Sequence, residues 1–414
     1  MGWVTEIHPT TEELDACVQC GLCLPVCPTF RLTGRETASP RGRLHAMMAV
    51  HEGVVEVDET FAGIIDFCLG CRACEPVCPG LVPYGRTLEG TRAEIVAQVP
   101  GRKGLRGWVL GRVIGSRRVL RFASALLALA QRLRLSGVVP GRYRRLTAGV
   151  RDLSRRPRPT LGHVGGTGDA GNVGLLAGCV QDEWFRPVNQ AAITLLELAG
   201  HRVSVPAAQT CCGALAAHDG RAPQARHLAA RNKQAFEGFD MVVATAAGCS
   251  AHLAGYGHWV EGGETVAGSA VDVTVAVAQA IEEGRLPRLR TGRGQMAIQD
   301  PCHLRHAQRV VAEPRRILEA AGYEVVEIDD VGLCCGAAGI YSLLQPEASR
   351  QLGNQKAGQV RSTGVSRVAS ANPGCEMQLR SHLGPHHEIS HPIEWYLQAL
   401  LDERKPAVGS PGHA

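Results

Sequence analysis

From residue 172 onward, short apolar runs of strand length alternate with longer stretches whose apolar residues have helical spacing. The runs are rich in Val, Ile, Ala and Met, and most of them end at Gly, Pro or Cys, which is typical of buried strands. They lie at 173–178, 201–206, 241–249, 296–301, 323–328 and 367–375. Helical spacing is clearest at 189–199 and 314–321. Strands that alternate with helices predict a parallel, doubly wound sheet in each of two halves.

Two helical stretches precede residue 172. Residues 41–66 space their apolar side chains as helices do, and an amphipathic helix is predicted at 117–135. The apolar face predicted for this second stretch consists of Leu120, Ala123, Leu127 and Ala130, and its charge comes from Arg117, Arg118, Arg121, Arg132 and Arg134.

At 414 residues the chain is too long for one ordinary domain. Hydrophobic residues make up 45% of it and aromatic residues only 4%, so Leu, Val and Ala must fill its cores. The predicted fold class is α+β and multidomain. Its segments are a helical, cysteine-rich domain at 1–100, a basic helical segment and linker at 101–171, repeated α/β domains at 172–290 and 291–402, and a disordered tail at 403–414.

Positive charge is concentrated in one segment. Residues 101–160 contain 16 of the chain's 44 Lys and Arg residues and one of its 39 acidic residues, so the remainder is acidic overall. The helix predicted there is interpreted either as a membrane-surface helix against anionic lipid or as a cover for its own domain with arginines in solvent. Nucleic acid is not expected as a partner, because no recognised binding motif accompanies the charge.

The first eight residues contain neither a basic region nor an apolar core, so no secretory signal peptide is expected. No apolar stretch in the basic segment approaches the about 20 residues that a membrane span needs. Sixteen cysteines in such a chain favour metal ligation over disulfides. We therefore expect a cytoplasmic protein, with the basic segment as the candidate for peripheral contact at the inner face of the cell membrane.

One cysteine phrase, C-x2-C-x2-C-x3-C-P, occurs at 17–28 and again at 68–79. Bacterial-type ferredoxins hold [4Fe–4S] clusters with this spacing, and the fourth cysteine of each phrase reaches across to the other cluster. One copy could be a zinc site or chance, whereas two copies favour a pair of clusters. The assignment is Cys17, Cys20, Cys23 and Cys78 for one cluster, and Cys68, Cys71, Cys74 and Cys27 for the other.

The remaining eight cysteines form an internal repeat. The first set is Cys179, Cys211, Cys212 and Cys249, and the second is Cys302, Cys334, Cys335 and Cys375. Each member of the first set has a counterpart in the second, and the predicted strands lead to these cysteines. Sites in parallel sheets form beyond the carboxyl ends of strands, so the cysteines are expected to converge on one site in each half.

Three interpretations of these two sites remain open. Adjacent cysteines are difficult to join by an ordinary disulfide, but both can ligate one multinuclear cluster. An additional iron–sulfur cluster in at least one half is the first interpretation. The second is a redox dithiol or a zinc site with thiolate ligands. The third is a set of structural cysteines without metal.

The repeated halves closely resemble the family of bacterial glycolate oxidase iron–sulfur subunits, within a wider group of proteins with paired cysteine-rich "CCG" domains. That group includes proteins of heterodisulfide reductases, of the anaerobic glycerol-3-phosphate dehydrogenase and of lactate utilisation. The resemblance covers residues from about 10 to 400. Its most specific segments are 39–43, 211–215, 300–304, 333–339, 339–347 and 372–375.

The resemblance implies a two-cluster electron carrier that partners a flavin-containing 2-hydroxy-acid dehydrogenase and passes electrons to an acceptor such as quinone. The chain has no G-x-G-x-x-G fingerprint opening a βαβ unit, so substrate oxidation is expected in the partner subunit. Lactate or glycerol-3-phosphate dehydrogenase is the alternative partner. The rival functions are disulfide reduction at the CCG cysteines and redox sensing.

The chain departs from the heterodisulfide reductase pattern at one point. Those relatives use an extra cysteine in a terminal Cys-x-x-Cys, where this sequence has His252 after Cys249 and Gln378 after Cys375. The fifth ligand is therefore missing or replaced, and His252 is a candidate substitute. His303, directly after Cys302, is a candidate hydrogen-bond donor to a cluster sulfur.

Overall fold

A computed structural model of the chain describes residues 2–102, 117–133, 149–153, 159–328 and 332–404. The rest of the basic segment and residues 405–414 lie outside the described residues. The predicted tail therefore begins inside a helix, because Pro392–Arg404 is helical to its end.

The N-terminal domain is helical, as predicted. Its helices are Thr11–Asp15, Pro28–Thr33, Pro40–His51, Glu59–Asp66 and Tyr84–Gln98, with a 3-10 turn at Glu36–Ala38. Local sequence fixes several of the starts: Thr10 forms a capping box with Glu13, and Ser39 accepts a hydrogen bond from the backbone N–H of Gly42. The core of this domain includes Met47, Phe61 and Ile65 among its buried residues.

The first α/β half contains a five-stranded sheet in the order β1-β3-β2-β4-β5. The strands are β1 Val164–Gly165, β2 Asn172–Leu176, β3 Arg202–Ser204, β4 Met241–Ala244 and β5 Ala270–Asp272. The helices are Val180–Trp184, Arg186–Leu198, Ala214–His218, Ala222–Ala235, Ala247–Leu253, Glu264–Ser269 and Val273–Glu282, with a 3-10 turn at Tyr256–His258. All described pairings except that of β1 are parallel.

The Gly-rich stretch at 162–171, predicted as part of a linker, contributes β1 to this sheet. The register pairs Val164 with Ser204 in the antiparallel direction. The linker prediction was therefore wrong at β1. A two-residue edge strand carries no period-2 signal, and tertiary pairing alone identifies it.

The second half contains a four-stranded, fully parallel sheet in the order β7-β6-β8-β9. The strands are β6 Gln295–Gln299, β7 Glu324–Glu327, β8 Arg367–Ser370 and β9 Glu388–Ser390. The helices are Ala312–Ala320, Tyr341–Leu344, Pro346–Ser362, Pro373–Leu383 and Pro392–Arg404, with a π-helical turn at His303–Ala307. The six predicted strands are thus β2, β3, β4, β6, β7 and β8.

The two halves share one hydrophobic core. Val188 and Leu195 of the first half lie in the same buried cluster as Ile317 and Tyr396 of the second. The halves also meet near their cysteines, since the backbone N–H of Ala247 donates to the carbonyl of Ala371 at 3.3 Å. The repeats therefore form one packed body, with the helices that carry Cys249 and Cys375 close together.

The predicted amphipathic helix spans Arg117–Arg132, and we call it the basic helix. Its inner face contacts the helix Val180–Trp184 of the first half. Leu120 and Ser124 are buried there, and Trp184 Nε1 donates to Ser124 Oγ at 2.9 Å. The predicted apolar face was wrong in part, because Ala123 is exposed.

Candidate iron–sulfur and thiol sites

The two N-terminal cysteine phrases fold into matching loops. In each loop the residue before the second cysteine and the residue after it have left-handed backbone conformations. The φ angles are 53° at Gln19 and 82° at Gly21 in the first loop, and 66° at Gly70 and 61° at Arg72 in the second. Left-handed conformations are uncommon for residues such as Gln and Arg and persist where the surroundings fix them. The same turn therefore recurs at both phrases.

The ligands predicted for the first cluster line one cavity. Cys17, Cys20 and Cys23 come from the first loop, and Cys78 comes from the end of the second phrase. Leu44 and Tyr84 are among the apolar residues that also line it. Cys74, which the crossed assignment gives to the other cluster, also lines this cavity. The structure thus brings together three thiols of one phrase and two of the other, and the crossed assignment of Cys78 stays a prediction.

The ligands predicted for the second cluster are more deeply buried. Cys27, Cys68, Cys71 and Cys74 are all buried. The backbone N–H of Gly70 donates to Cys68 Sγ at 3.4 Å, and Tyr84 Oη donates to the same sulfur at 3.7 Å. Burial is the largest contribution that raises the pKa of the Cys74 thiol well above its ordinary value, and neighbouring thiols, Cys71 first, add to it.

Arg43 provides a test of whether these thiols suit an anionic cluster. Its guanidinium is 0% exposed, donates from Nε to the carbonyl of Ile64 at 2.9 Å, and has at Nη1 a buried nitrogen without a partner among the described residues. Burial alone would lower the pKa of Arg43, but the ionised forms of Cys68, Tyr84 and Cys27 raise it above its ordinary value. A buried cation with an unpaired donor needs a nearby anion, so the residues fit an iron–sulfur cluster held by these cysteines.

The four cysteines of the first CCG half form two contacting pairs. Cys211 Sγ lies 3.4 Å from Cys179 Sγ, and Cys212 Sγ lies 3.3 Å from Cys249 Sγ. Cys179 caps the helix Val180–Trp184, and the Cys-Cys-Gly turn precedes the helix Ala214–His218. The hydrogen bond with Cys179 lowers the pKa of Cys211, but the interaction with Cys212 and burial outweigh it and raise that pKa to about 12.

The second CCG half repeats this pairing, with Cys302 hydrogen-bonded to Cys334 and Cys335 hydrogen-bonded to Cys375. Here the electrostatics differ from those of the first half. Hydrogen bonds from Cys302 and then Cys335 hold the pKa of Cys334 well below its ordinary value. The backbone N–H of Gly336 also donates to Cys334 Sγ, at 3.5 Å. The second site therefore favours a thiolate at Cys334.

The last cysteine of each set lies in a helix rather than at a strand end. β4 ends at Ala244 and β8 ends at Ser370, whereas Cys249 and Cys375 occupy the first turn of the helices that follow. The prediction that these strands end at the cysteines was wrong. Pro373, at the start of the second helix, marks a helix start that the sequence could have indicated.

Lys356 is a charged residue of the second site that the sequence analysis missed. Its side chain is 2% exposed, and burial lowers its pKa to about 8, against smaller opposing effects led by Cys375. A signal was present in the helix Pro346–Ser362. Lys356 stands between Leu352 and Val360 at i, i+4 spacing, on the face that packs inward.

The N-terminal domain contacts the second CCG site directly. Cys71 lies in one buried apolar cluster with Cys334 and Tyr341, and Cys302 packs against that cluster. Tyr341 Oη donates to the carbonyl of Phe67 at 3.3 Å, across 274 residues of sequence. The second predicted cluster and the second CCG site are therefore neighbours.

Three histidines meet between the N-terminal domain and the two halves. His303 Nδ1 lies 3.5 Å from Cys302 Sγ, so this ring contacts the thiol of the preceding residue, and its role as a donor to a cluster sulfur stays a prediction. The rings of His252 and His303 both pack against His218, whose Nδ1 lies 2.8 Å from Glu89 Oε1. Burial lowers the pKa of His252 to about 4 and of His303 to about 3. Both rings are thus neutral near pH 7.

The described residues contain neither a compact single-metal site nor a membrane-spanning helix. No group of three His, Cys, Asp or Glu side chains among the described residues converges closely enough to hold a single metal ion. A four-iron cluster separates its ligands more widely than one ion does. No helix in the described parts of the chain is long and apolar enough to cross a membrane.

Comparison with protein families agrees with the domain content. Residues 13–82 match the 4Fe–4S dicluster domain, and residues 173–254 and 296–380 each match the cysteine-rich CCG domain. These matches confirm the predicted fold class, and the first of them supports iron–sulfur binding.

Three curated relatives align with most of the chain. The probable glycolate oxidase iron–sulfur subunit of Bacillus subtilis (strain 168) is 35% identical, with 89% of this chain and 88% of the relative covered. The glycolate oxidase iron–sulfur subunit of Escherichia coli (strain K12) is 32% identical, with 94% and 95% covered. One of the subunits of the fumarate reductase (CoM/CoB) of Methanothermobacter marburgensis is 25% identical, with 91% and 70% covered. Similarity of this extent over both chains shows that the protein belongs to the family of glycolate oxidase iron–sulfur subunits.

Proposed function

We propose that this chain is the electron-transfer subunit of a glycolate-oxidising complex. A flavin-containing partner subunit would oxidise glycolate to glyoxylate, and this chain would carry the electrons to a downstream acceptor. Cys17, Cys20, Cys23 and Cys78 would hold one [4Fe–4S] cluster, and Cys68, Cys71, Cys74 and Cys27 the other. Such clusters take up and release single electrons.

One observation carries this proposal: Cys71 and Cys334 share a buried apolar cluster. The thiols assigned to the second cluster and those of the second CCG site are then separated by packed protein rather than by solvent. Tyr341 supports the contact through its hydrogen bond to Phe67. We infer that the second CCG site, and not the first, accepts the electrons that leave the N-terminal domain.

The charge distribution favours an anionic centre at that second site. Hydrogen bonds stabilise a thiolate at Cys334, and Lys356 is a buried cation whose charge interacts with Cys375 and Cys302. In the first half the residue that corresponds to Lys356 is Asn232, which is buried and donates to the carbonyl of Cys211 at 2.9 Å. A neutral amide there and an ammonium in the second half support an additional iron–sulfur centre in the second half.

The test uses the chain purified anaerobically with its flavin partner. Iron and acid-labile sulfide per chain are measured first, and low-temperature EPR then follows reduction by glycolate. Cys335→Ser should remove an EPR species that the matched Cys212→Ser variant retains. About eight iron atoms per chain in the wild type would confine electron transfer to the N-terminal domain. Failure of glycolate to reduce any centre would refute the proposed function.

The substrate of the partner subunit is tested in the same preparation. Lactate and glycerol 3-phosphate replace glycolate as the reductant, and the initial rates of cluster reduction are compared. Glycolate should reduce the clusters fastest. A faster reduction by either of the other two substrates would assign the chain to a different dehydrogenase and leave its electron-transfer role intact.

A second candidate function is reduction of a disulfide at the CCG cysteines. The contacts of 3.4 Å between Cys211 and Cys179 and of 3.3 Å between Cys212 and Cys249 favour it, because paired buried thiols are what a dithiol reductant requires. Turnover of a disulfide by the wild type, lost in Cys212→Ser with electron uptake intact, would support this function. A wild type that reduces no disulfide excludes it.

A further inference from the structure

The basic helix carries a second apolar face that nothing in the described structure covers. Phe122, Leu126, Leu129 and Leu133 are 67%, 54%, 51% and 58% exposed. They follow one another at intervals of four, three and four residues, so they form one stripe along the helix. Exposed apolar residues scattered singly are ordinary on protein surfaces, whereas a contiguous stripe marks an interaction site.

The opposite face of the helix fixes its orientation on the protein. Leu120 is 3% exposed and belongs to the buried cluster that contains Cys179 and Cys211. The side chain of Gln131 donates to the carbonyl of Arg151 at 3.1 Å and accepts from the N–H of Leu153 at 2.9 Å. The helix is therefore held by its inner face, and the apolar stripe is directed away from the first half.

Charge identifies the occupant of this face. The helix contains four arginines and no acidic residue, within a segment that has 16 basic residues and one acidic residue. The remainder of the chain has 28 basic and 38 acidic residues. A surface of negative charge would thus attract this segment and repel the rest of the molecule, which orients the protein as it approaches.

We propose that the stripe Phe122, Leu126, Leu129 and Leu133 inserts into the interfacial layer of an anionic lipid membrane, with the basic helix lying in the membrane plane. An apolar stripe beside arginines, without acidic residues, is the pattern of an interfacial helix. Leu120 joins this helix to the cluster containing Cys179, so docking brings the first CCG half to the membrane.

The test is co-sedimentation of the full-length, cluster-loaded protein with vesicles. One set contains phosphatidylcholine alone, and the other contains phosphatidylcholine with about one-third phosphatidylglycerol. The wild type should bind the anionic vesicles at low salt, bind the neutral vesicles much more weakly, and leave the anionic vesicles as salt screens the charge. Phe122→Gln and Leu126→Gln should each weaken binding about tenfold, because each removes an apolar side chain from the lipid.

The matched control is Leu81→Gln, which changes an apolar residue that is 77% exposed but lies in the N-terminal domain. It should leave vesicle binding unchanged, and all three variants should keep the iron content of the wild type. Absence of wild-type binding to anionic vesicles at low salt overturns the proposal. Loss of a protein partner from Phe122→Gln with vesicle binding intact also overturns it, since the stripe would then be a subunit interface. None of these measurements depends on which substrate is oxidised, so they fail or succeed independently of the proposed function.

Discussion

Replacing Lys356 by Met tests the charge of the second CCG site in both its metal-free and cluster-loaded forms. In the metal-free protein, burial lowers the pKa of Lys356 from 10.5 to about 8. The difference corresponds to about 3 kcal/mol at about 1.4 kcal/mol per pKa unit. Below pH 8 both the folded and the unfolded chain are protonated at this residue, and the folded state bears that cost. Between pH 8 and 10.5 the folded state releases its proton first, and the cost disappears.

Metal-free Lys356→Met should therefore be more stable than the wild type at pH 7, by up to about 3 kcal/mol, and this gain should shrink above pH 8. Urea unfolding at pH 7 and at pH 9.5 measures both values. In the cluster-loaded protein the sign reverses. There the ammonium would balance the negative charge held by Cys302 and Cys375, so the variant should lose iron or show a lower reduction potential in EPR-monitored titration.

Lys233→Met is the matched control, because Lys233 lies on the helix Ala222–Ala235 of the first half and donates to the carbonyl of Glu261 at the surface. It should change neither property. If Lys356→Met leaves metal-free stability unchanged, the argument from burial is wrong. If it leaves iron content and potential unchanged in the loaded protein, the second site holds no anionic centre.

Three further predictions follow from single side chains. Arg43→Met should lose about four iron atoms per chain, because the buried counter-charge of the second cluster is removed, whereas Arg35→Met at the exposed surface should lose none. Burial lowers the pKa of His391 from 6.5 to about 3, so the folded protein resists protonation of this ring and its stability falls as the pH drops below 6.5. Urea unfolding at pH 7 and at pH 4.5 measures this loss, and His391→Gln should recover about 3 kcal/mol of it. Gly336→Ala should destabilise the folded protein by about 2–4 kcal/mol, because φ is +86° and the added Cβ would lie 2.8 Å from the carbonyl oxygen of Ser349. Gly34→Ala is the control, since its φ is +66° and nothing lies within 4 Å of its Cβ, and it should cost only about 1 kcal/mol. Thermal unfolding measures both.

The strands and cysteine repeats could be predicted because their signals are local. Runs such as 173–176 and 241–244 are apolar over their whole length, and parallel strands buried on both faces require this. The doubled phrase likewise encodes part of its loops, since one of the two left-handed positions in each is a glycine, Gly21 after the second cysteine and Gly70 before it. In these segments the local chemistry and the global fold agree.

The orientation of the basic helix could not be predicted from its sequence. Apolar residues occur around most of its circumference, so both Leu120 and Leu126 are compatible with an inward face. The hydrogen bond from Trp184 to Ser124 favours one orientation, and it joins residues 60 positions apart. Sequence periodicity contains no information on such a contact.

The charged residues around the sites could not be predicted from the sequence either. Glu89 meets His218 across 129 residues, and Lys356 interacts with cysteines of two other segments, Cys375 and Cys302. Neither residue belongs to a motif, and a buried charge is recognised only when its surroundings are known. The motifs therefore identified the candidate thiols and the neighbouring His252 and His303, whereas Glu89 and Lys356 were recognised only in the structure.

The contact between Cys71 and Cys334 also has a consequence for biosynthesis. The N-terminal domain is translated first, yet the second half, translated last, supplies part of its cover: Cys334, Tyr341 and Leu352. Until those residues leave the ribosome, the loop that bears Cys71 remains open on that side. The thiol of Cys71 is thus uncovered on that side for most of translation, and the last repeat closes over it only after that repeat has been synthesised.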